Sequence, residues 1–274
     1  MLDLHAHTTY SDGRLTPSEL VEAAAKAGIR ALAITDHDTL AGWDEAIAAA
    51  ATWGIEIVPG VELSTVHRDR SLHILGYYPN PDQLQAPLRE RVEGRKRRAQ
   101  QILDKLAALG YVVQMPFLGE GVAPSRPHIA TAMVEAGYVK SSREAFDRFL
   151  GDHQPAYVHY EKFSIQEGIS LLRSCGAIAI WAHPYLYRGG EIEEVLLELI
   201  EAGLQGVEVY HPNHTPSQRQ TLEKWCQQYG LLMTGGSDYH GPAEFENQPS
   251  NTLNMLQLPM ELLSPLKQAV YDLQ

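Results

Sequence analysis

Short apolar runs alternate with amphipathic stretches along most of the chain, and nearly every run is closed by a histidine or a carboxylate. Residues 2–5 read as a strand. Thr16-Pro17-Ser18-Glu19 is a capping box with proline at the first helical position, and the helix it opens stops at Gly28. Strands are expected over residues 31–35, 55–61 and 72–77, with a helix over 44–53. From about residue 81 to 160 only helical patterns remain: 84–109, a start at Ser125-Arg126-Pro127, and 142–150. Strands then return at 177–182, 206–210 and 231–234, interleaved with helices at 164–174, 192–202 and 216–229, and a helix closes the chain at 260–273. This alternation marks a parallel α/β sheet or barrel of about seven strands. The expected division is an α/β barrel from residues 1–80 and 161–274, with a helical insertion domain at 81–160.

In a parallel barrel the C-terminal strand ends share one rim, where active sites sit. His5 and His7 end the first strand, Asp36 and His37 follow the second, and Glu62 ends the third. His183, His211, Asp238 and His240 follow later strands. His73 is the exception: it lies near the start of strand four and reaches the rim only if it points inward. His5-Ala6-His7 has the spacing of alternate strand residues, which face one side. Alone that pair is more often structural. A core, however, does not gather Asp12, Asp36-His37-Asp38, Glu62, His73, His183 and Asp238-Tyr239-His240 at strand ends without use, since burying such groups unpaired costs roughly several kcal/mol each.

Twelve histidines are the one excess in an ordinary composition, and imidazole is the commonest metal ligand. Only Cys175 and Cys226 are present, which excludes a thiolate zinc cluster and a disulfide framework. Acids outnumber bases 34 to 22, a formal charge of -12, which speaks against a broad nucleic-acid surface. No stretch approaches the roughly 18 apolar residues of a membrane span. The first residues lack the basic start and apolar core of a signal peptide, so a cytoplasmic setting without membrane contact is expected.

The H-x-H start, Thr35-Asp36-His37-Asp38, Gly60-Val61-Glu62, Ala182-His183-Pro184 and Ser237-Asp238-Tyr239-His240 resemble the motifs of the PHP (polymerase and histidinol phosphatase) superfamily. The resemblance spans nearly the whole chain. Ser11-Asp12-Gly13, Thr16-Pro17 and Ser125-Arg126-Pro127-His128-Ile129-Ala130 are similar to the TrpH/YciV-type phosphoesterases. These are described as 3',5'-nucleoside bisphosphate phosphatases or as 5'-to-3' exoribonucleases on short RNA. The resemblance implies a distorted (β/α)7 barrel and three divalent metal ions, manganese foremost, with iron or zinc as alternatives. His5, His7, Glu62 and Asp238 would hold the first ion. Glu62 would bridge to a second held by His73 and His183, and Asp12, His37 and His240 would hold the third. A bridging hydroxide would attack phosphorus in line. Arg126 and His128 would grip the phosphate that is not cleaved, His211 would serve the leaving oxygen or touch substrate, and Asp36 and Asp38 would orient ligands. A phosphatase acting on a small molecule such as histidinol phosphate, and a metal-bound scaffold without turnover, are the competing readings.

Plainer roles are expected elsewhere. The run Arg89, Arg91, Arg95, Lys96, Arg97, Arg98 is interleaved with Glu90 and Glu93 and reads as a solvated helix face. Trp43, Trp53, Trp181 and Trp225 read as core, His67, His153 and His159 as surface or structural, and Gly235-Gly236 as a tight turn.

Overall fold

The computed structural model describes residues 1–115, 118, 122–159, 163–242 and 251–273. Seven strands follow one another around a single sheet in sequence order: β1 (Leu2–Asp3), β2 (Ala31–Ile34), β3 (Glu56–His67), β4 (Arg70–Tyr77), β5 (Ile178–Trp181), β6 (Gly206–Tyr210) and β7 (Leu232–Gly235). The ring closes where Leu4 N–H donates to Gly235 O (3.1 Å) and His7 N–H to Tyr239 O (2.9 Å). Helices α1 (Pro17–Lys26), α2 (Trp43–Trp53), α6 (Ile165–Ser174), α7 (Ile192–Glu201) and α8 (Pro216–Tyr229) pack outside. The capping box at Thr16 forms as expected, with Glu19 N–H donating to Thr16 Oγ1 and Glu19 Oε2 accepting from Thr16 N–H.

Side-chain alternation sorts each strand between two layers. Val58, Leu75, Tyr77, Ile178 and Ile180 fill the interior, and Leu263 and Leu266 of α9 (Leu263–Tyr271) pack into the same cluster. Val61, Leu63, Leu72, Ile74, Trp181 and Val207 face the outer helices. On the interior face of β3, β4 and β6 the residues nearer the rim are Glu62, His73 and Glu208, so the inside is apolar below and ionisable above.

Two expectations need correcting. β4 pairs antiparallel with both β3 and β5, while the remaining pairs are parallel. β4 therefore begins at the rim where the others end, and that reversal delivers His73. Glu62 does not end β3: the strand runs five residues further, to His67, because the short turn to Arg70 makes β3 and β4 one long hairpin.

Between β4 and β5, the described residues form helices and no strand. Ahead of α6 these are α3 (Pro81–Ala108), α4 (Arg126–Glu135) and α5 (Ser142–Ala145), the last continued by a wider π-type turn over Phe146–Leu150. Ile102, Leu106, Ile129, Met133, Phe149 and Leu150 make a separate apolar cluster. Leu84 and Leu88, in the first half of α3, pack instead on the barrel core. The expected boundary at 160/161 lies outside the described residues. Trp53 is 41% exposed, not core, with Lys26 over its ring; Trp43 and Trp181 are buried, and Trp225 is partly so.

Candidate metal centre

Glu62 is the hub of the rim. Five imidazoles place a nitrogen within 3.3 Å of its carboxylate: His73 and His183 at Oε1 (2.8 and 3.0 Å), and His5, His7 and His37 at Oε2 (3.3, 3.2 and 3.2 Å). Asp238 Oδ1 lies 3.2 Å from His7 Nε2 and 3.4 Å from His5 Nε2. Asp12 sits 3.2 Å from His240 Nε2 and 3.8 Å from His37 Nε2. The nine residues form four overlapping groups whose ligand atoms lie within 4.8 Å of one another: His7, Asp12, His37, His240; His5, His7, Asp238; His5, Glu62, His183; and His37, Glu62, His73.

This donor set fits divalent cations. Two ligands about 2.1 Å from a shared ion stand roughly 3.0–3.4 Å apart, the spacing seen here. His5 Nε2, His7 Nε2, His37 Nδ1 and Asp12 Oδ1 are buried without a hydrogen bond of acceptable geometry, which is costly unless something else satisfies their lone pairs. Imidazole and carboxylate without thiolate suit manganese, iron or zinc.

The titration of these groups shows how tightly they are coupled. Burial opposes charge on His7, but the Asp238 and Glu62 carboxylates 3.2 Å away raise it to about 10. Burial dominates at His37 and lowers it to about 3 against the pull of Glu62 and Asp12. Burial would raise Glu62, Asp12 and Asp238, yet the surrounding imidazoles hold all three carboxyls well below their usual range. Positive φ values at Asp38 (54°), His183 (34°) and Asp238 (51°) put three rim residues in the left-handed region, the kind of backbone strain that gathers at functional sites.

Asp36 reaches the ligands one step removed. It accepts from Thr8 N–H (2.8 Å), Thr8 Oγ1–H (2.7 Å) and Ser11 Oγ–H (2.6 Å), and Ser11 Oγ lies 3.3 Å from His7 Nδ1. Asp38 touches no imidazole. Arg95 Nε donates to its Oδ2 (2.6 Å), Arg91 Nε lies 3.5 Å from Oδ1, and Ser64 N–H also donates to Oδ1 (3.1 Å). The basic run on α3 is thus not one solvated face. Arg95 and Arg98 are buried, while Lys96 and Arg97 pair with Glu93 and Glu90 in solvent. The helical period turns Arg91, Arg95 and Arg98 to the inner face, where the first two meet Asp38 and the third donates to Val158 O.

His211 is fully buried; its Nδ1 accepts from Asn213 N–H (3.2 Å) and its Nε2 faces Asp238 Oδ2 (3.5 Å). Arg126 Nη1 donates to Leu150 O (3.1 Å) and pairs with Asp152 (3.2 Å), its guanidinium lying over Phe146 and Tyr157. His128 Nδ1 accepts from Ser125 N–H (3.1 Å). Ala123 N–H donates to Tyr10 O (3.0 Å), tying the approach to α4 to the loop that carries Asp12.

Three participants escape the sequence reading. Glu208 lies 2.9 Å from His5 Nδ1. Asp3 accepts from His5 and Ser237 N–H groups, and burial raises its carboxyl to about 6. Arg95 anchors Asp38. The signal for the first two was a lone carboxylate inside an apolar strand; nothing local distinguishes Arg95 from its neighbours. Gly235 and Gly236 are not a left-handed turn. A Cβ at Gly236 would lie 2.4 Å from His5 N and one at Gly235 2.5 Å from Tyr210 Cβ, so these glycines let β7 pass close between β6 and β1.

The PHP domain family matches residues 3–138. The chain is 37% identical over 250 residues to a 5'-3' exoribonuclease of Haemophilus influenzae, covering 88% of this chain and 90% of that protein. It is 36% identical over 251 residues to a 3',5'-nucleoside bisphosphate phosphatase of Chromobacterium violaceum, covering 89% and 88%. The solved structure of an amidohydrolase from Chromobacterium violaceum, with bound sulfate and no metal, superposes with a TM-score of 0.84 at 32% identity, covering 99% of this chain and 96% of that one.

Proposed function

From the premise that the chain belongs to the PHP family of metal-dependent phosphoesterases, we propose that it hydrolyses 3',5'-nucleoside bisphosphates or the 5' ends of short oligoribonucleotides. The supporting observation is a cleft of about 300 Å³ whose lining includes His37, His73 and His183 together with Arg126. That volume is at the small end of ligand pockets and suits one nucleotide. The cleft also receives Arg70 and Arg188, so a chain of charge -12 presents a positive wall where a phosphate would lie.

In this reading His5, His7, Glu62 and Asp238 would hold one divalent ion, Glu62, His73 and His183 a second, and Asp12, His37 and His240 a third, manganese foremost. When bound, such ions lower the pKa of water towards neutrality and clamp phosphoryl oxygens. Arg126 holds the phosphate that stays. Its guanidinium is already oriented by Leu150 O and Asp152, and it sits at the first turn of α4, where backbone N–H groups also face an anion. Ser125 N–H occupies His128 Nδ1, so the ring proton is on Nε2 and free to donate. Asn213 N–H does the same for His211, leaving Nε2–H to serve the leaving oxygen beside Asp238. Asp36 steadies His7 through Ser11, and Asp38 steadies the rim through Arg95. Residues 81–160 act as the substrate-gripping insertion. No helix among the described residues is long and apolar enough to cross a membrane; a cytoplasmic setting and the absence of duplex partners belong to the same proposal.

A turnover panel with Mn(II) tests it: 3'-phosphoadenosine 5'-phosphate, AMP, histidinol phosphate, 4-nitrophenyl phosphate and a short 5'-phosphorylated RNA. Charge-assisted hydrogen bonds are worth about 1.5–3 kcal/mol each, so Arg126→Ala should raise KM for the bisphosphate about 10- to 100-fold and leave the aryl phosphate nearly unchanged. Equal effects on both would refute the grip. In the same panel His211→Gln should cost most on substrates with poor leaving groups; a uniform loss would remove its role as donor.

A further inference from the structure

Glu208 stands on β6 between Val207 and Val209, which face the outer core, and points into the barrel with 0% exposure. Burying a carboxylate there costs several kcal/mol, roughly, unless it is fully engaged. Both oxygens are engaged. Oε1 lies 2.9 Å from His5 Nδ1, and Oε2 accepts from His183 N–H at 2.8 Å. Those partners come from the segment after β1 and from the turn after β5, so one side chain ties together two residues of the candidate group His5, Glu62 and His183. His183 holds φ 34° and ψ 62°, a left-handed conformation that a non-glycine residue keeps only when its surroundings compel it. The Glu208 contact to its N–H is part of that constraint.

The chemistry at His5 is specific. A neutral imidazole has one ring proton, and a carboxylate accepts and does not donate. Facing Glu208, the proton belongs on Nδ1, which leaves the lone pair on Nε2. That nitrogen makes no hydrogen bond and lies 3.3 Å from Glu62 Oε2 and 3.4 Å from Asp238 Oδ1. We propose that Glu208 is a positioning residue of the metal centre, fixing His5 as its Nδ1–H tautomer and His183 in its left-handed turn through one buried carboxylate. This rests on the metal-centre reading above. An amide cannot do both jobs. If a glutamine oxygen accepts from His183 N–H, its NH2 faces His5 Nδ1 and drives the proton to Nε2, where it blocks coordination. If the oxygen accepts from His5, the His183 N–H meets another donor.

The test is metal binding by the full-length protein, read by elemental analysis after dialysis and by titration with Mn(II) and Zn(II). Loss of a partner to a metal-bound histidine costs about 10- to 100-fold in affinity, so Glu208→Gln should lose that much at the sites that His5 serves. The group of Asp12, His37 and His240 should still bind. A second measurement does not depend on the variant folding. Long-range proton–nitrogen correlation of His5 in the zinc-loaded unaltered protein should show a protonated Nδ1 and a coordinated Nε2. A His5 ring protonated on Nε2, or a Glu208→Gln protein with unchanged affinity at every site, overturns the role of Glu208 while the metal-centre reading stands. An unaltered protein that binds no divalent ion removes that reading, and this inference with it.

Discussion

Asp38 and Arg95 form a buried ion pair at the edge of the site, with Arg95 itself lining the cleft. Burial would raise Asp38, but Arg95 and Arg91 hold its carboxyl below the usual range. A group depressed in the folded state contributes stability that is full above its unfolded pKa, about 3.9, and is lost as pH falls through the folded value. Removing one partner of a buried pair costs about 3–5 kcal/mol. Arg95→Met should therefore lower the urea-unfolding free energy by about that much at pH 7, and the gap to the unaltered protein should shrink below about pH 4 as Asp38 protonates. A gap independent of pH would mean that the pair is not the cause. The nine clustered residues were legible in the sequence because strand ends punctuate it with histidine and carboxylate. Arg95 was not, since six basic residues in a row look alike until a helix selects which of them turn inward.

At the level of elements, the sequence patterns found all seven strands and the capping box at Thr16, because local periodicity and caps are local physics. Direction was not legible: β4 carries the same apolar alternation whichever way it runs, and only pairing with β3 and β5 turns it round. The glycines at the end of β7 were misread for a related reason. Their role depends on a strand more than 200 residues distant in sequence. Gly236→Ala would put a methyl group 2.4 Å from His5 N, forcing β1 and β7 apart. Overpacking of this kind costs about 1–3 kcal/mol, to be seen as a lower denaturant midpoint together with weaker metal retention. A variant with both unchanged would show that the seam has slack.

For the molecule as a whole, the rim concentrates the buried ionisable groups. Three carboxylates and six imidazoles meet there, and the titration of His7, His37 and Glu62 departs strongly from the ordinary range. A cation that binds only the folded chain stabilises it by about 2.7 kcal/mol at a hundredfold excess over Kd. Mn(II) should thus raise the thermal midpoint by several degrees, and a chelator should reverse the rise and abolish turnover. An identical midpoint with and without chelator would count against a cation bound to the native state. The insertion adds its own cohesion through Ile102, Met133 and Phe149, but α3 shares its first half with the barrel core, so insertion and barrel are mechanically joined.

The closing seam also sets a timetable. Asp3 and Ser237, bonded across it, are 234 residues apart, and the ligands on either side, His5 and Asp238, are nearly as far. During synthesis the first strand leaves the ribosome long before its neighbour on the other side exists, and non-local pairings of this kind form late and slowly. Until residue 238 emerges, the early histidines have only part of their coordination shell. The candidate groups that include His183, Asp238 or His240 are therefore completed only in the finished barrel, whereas His37, Glu62 and His73 are all present once the first hairpin has been made.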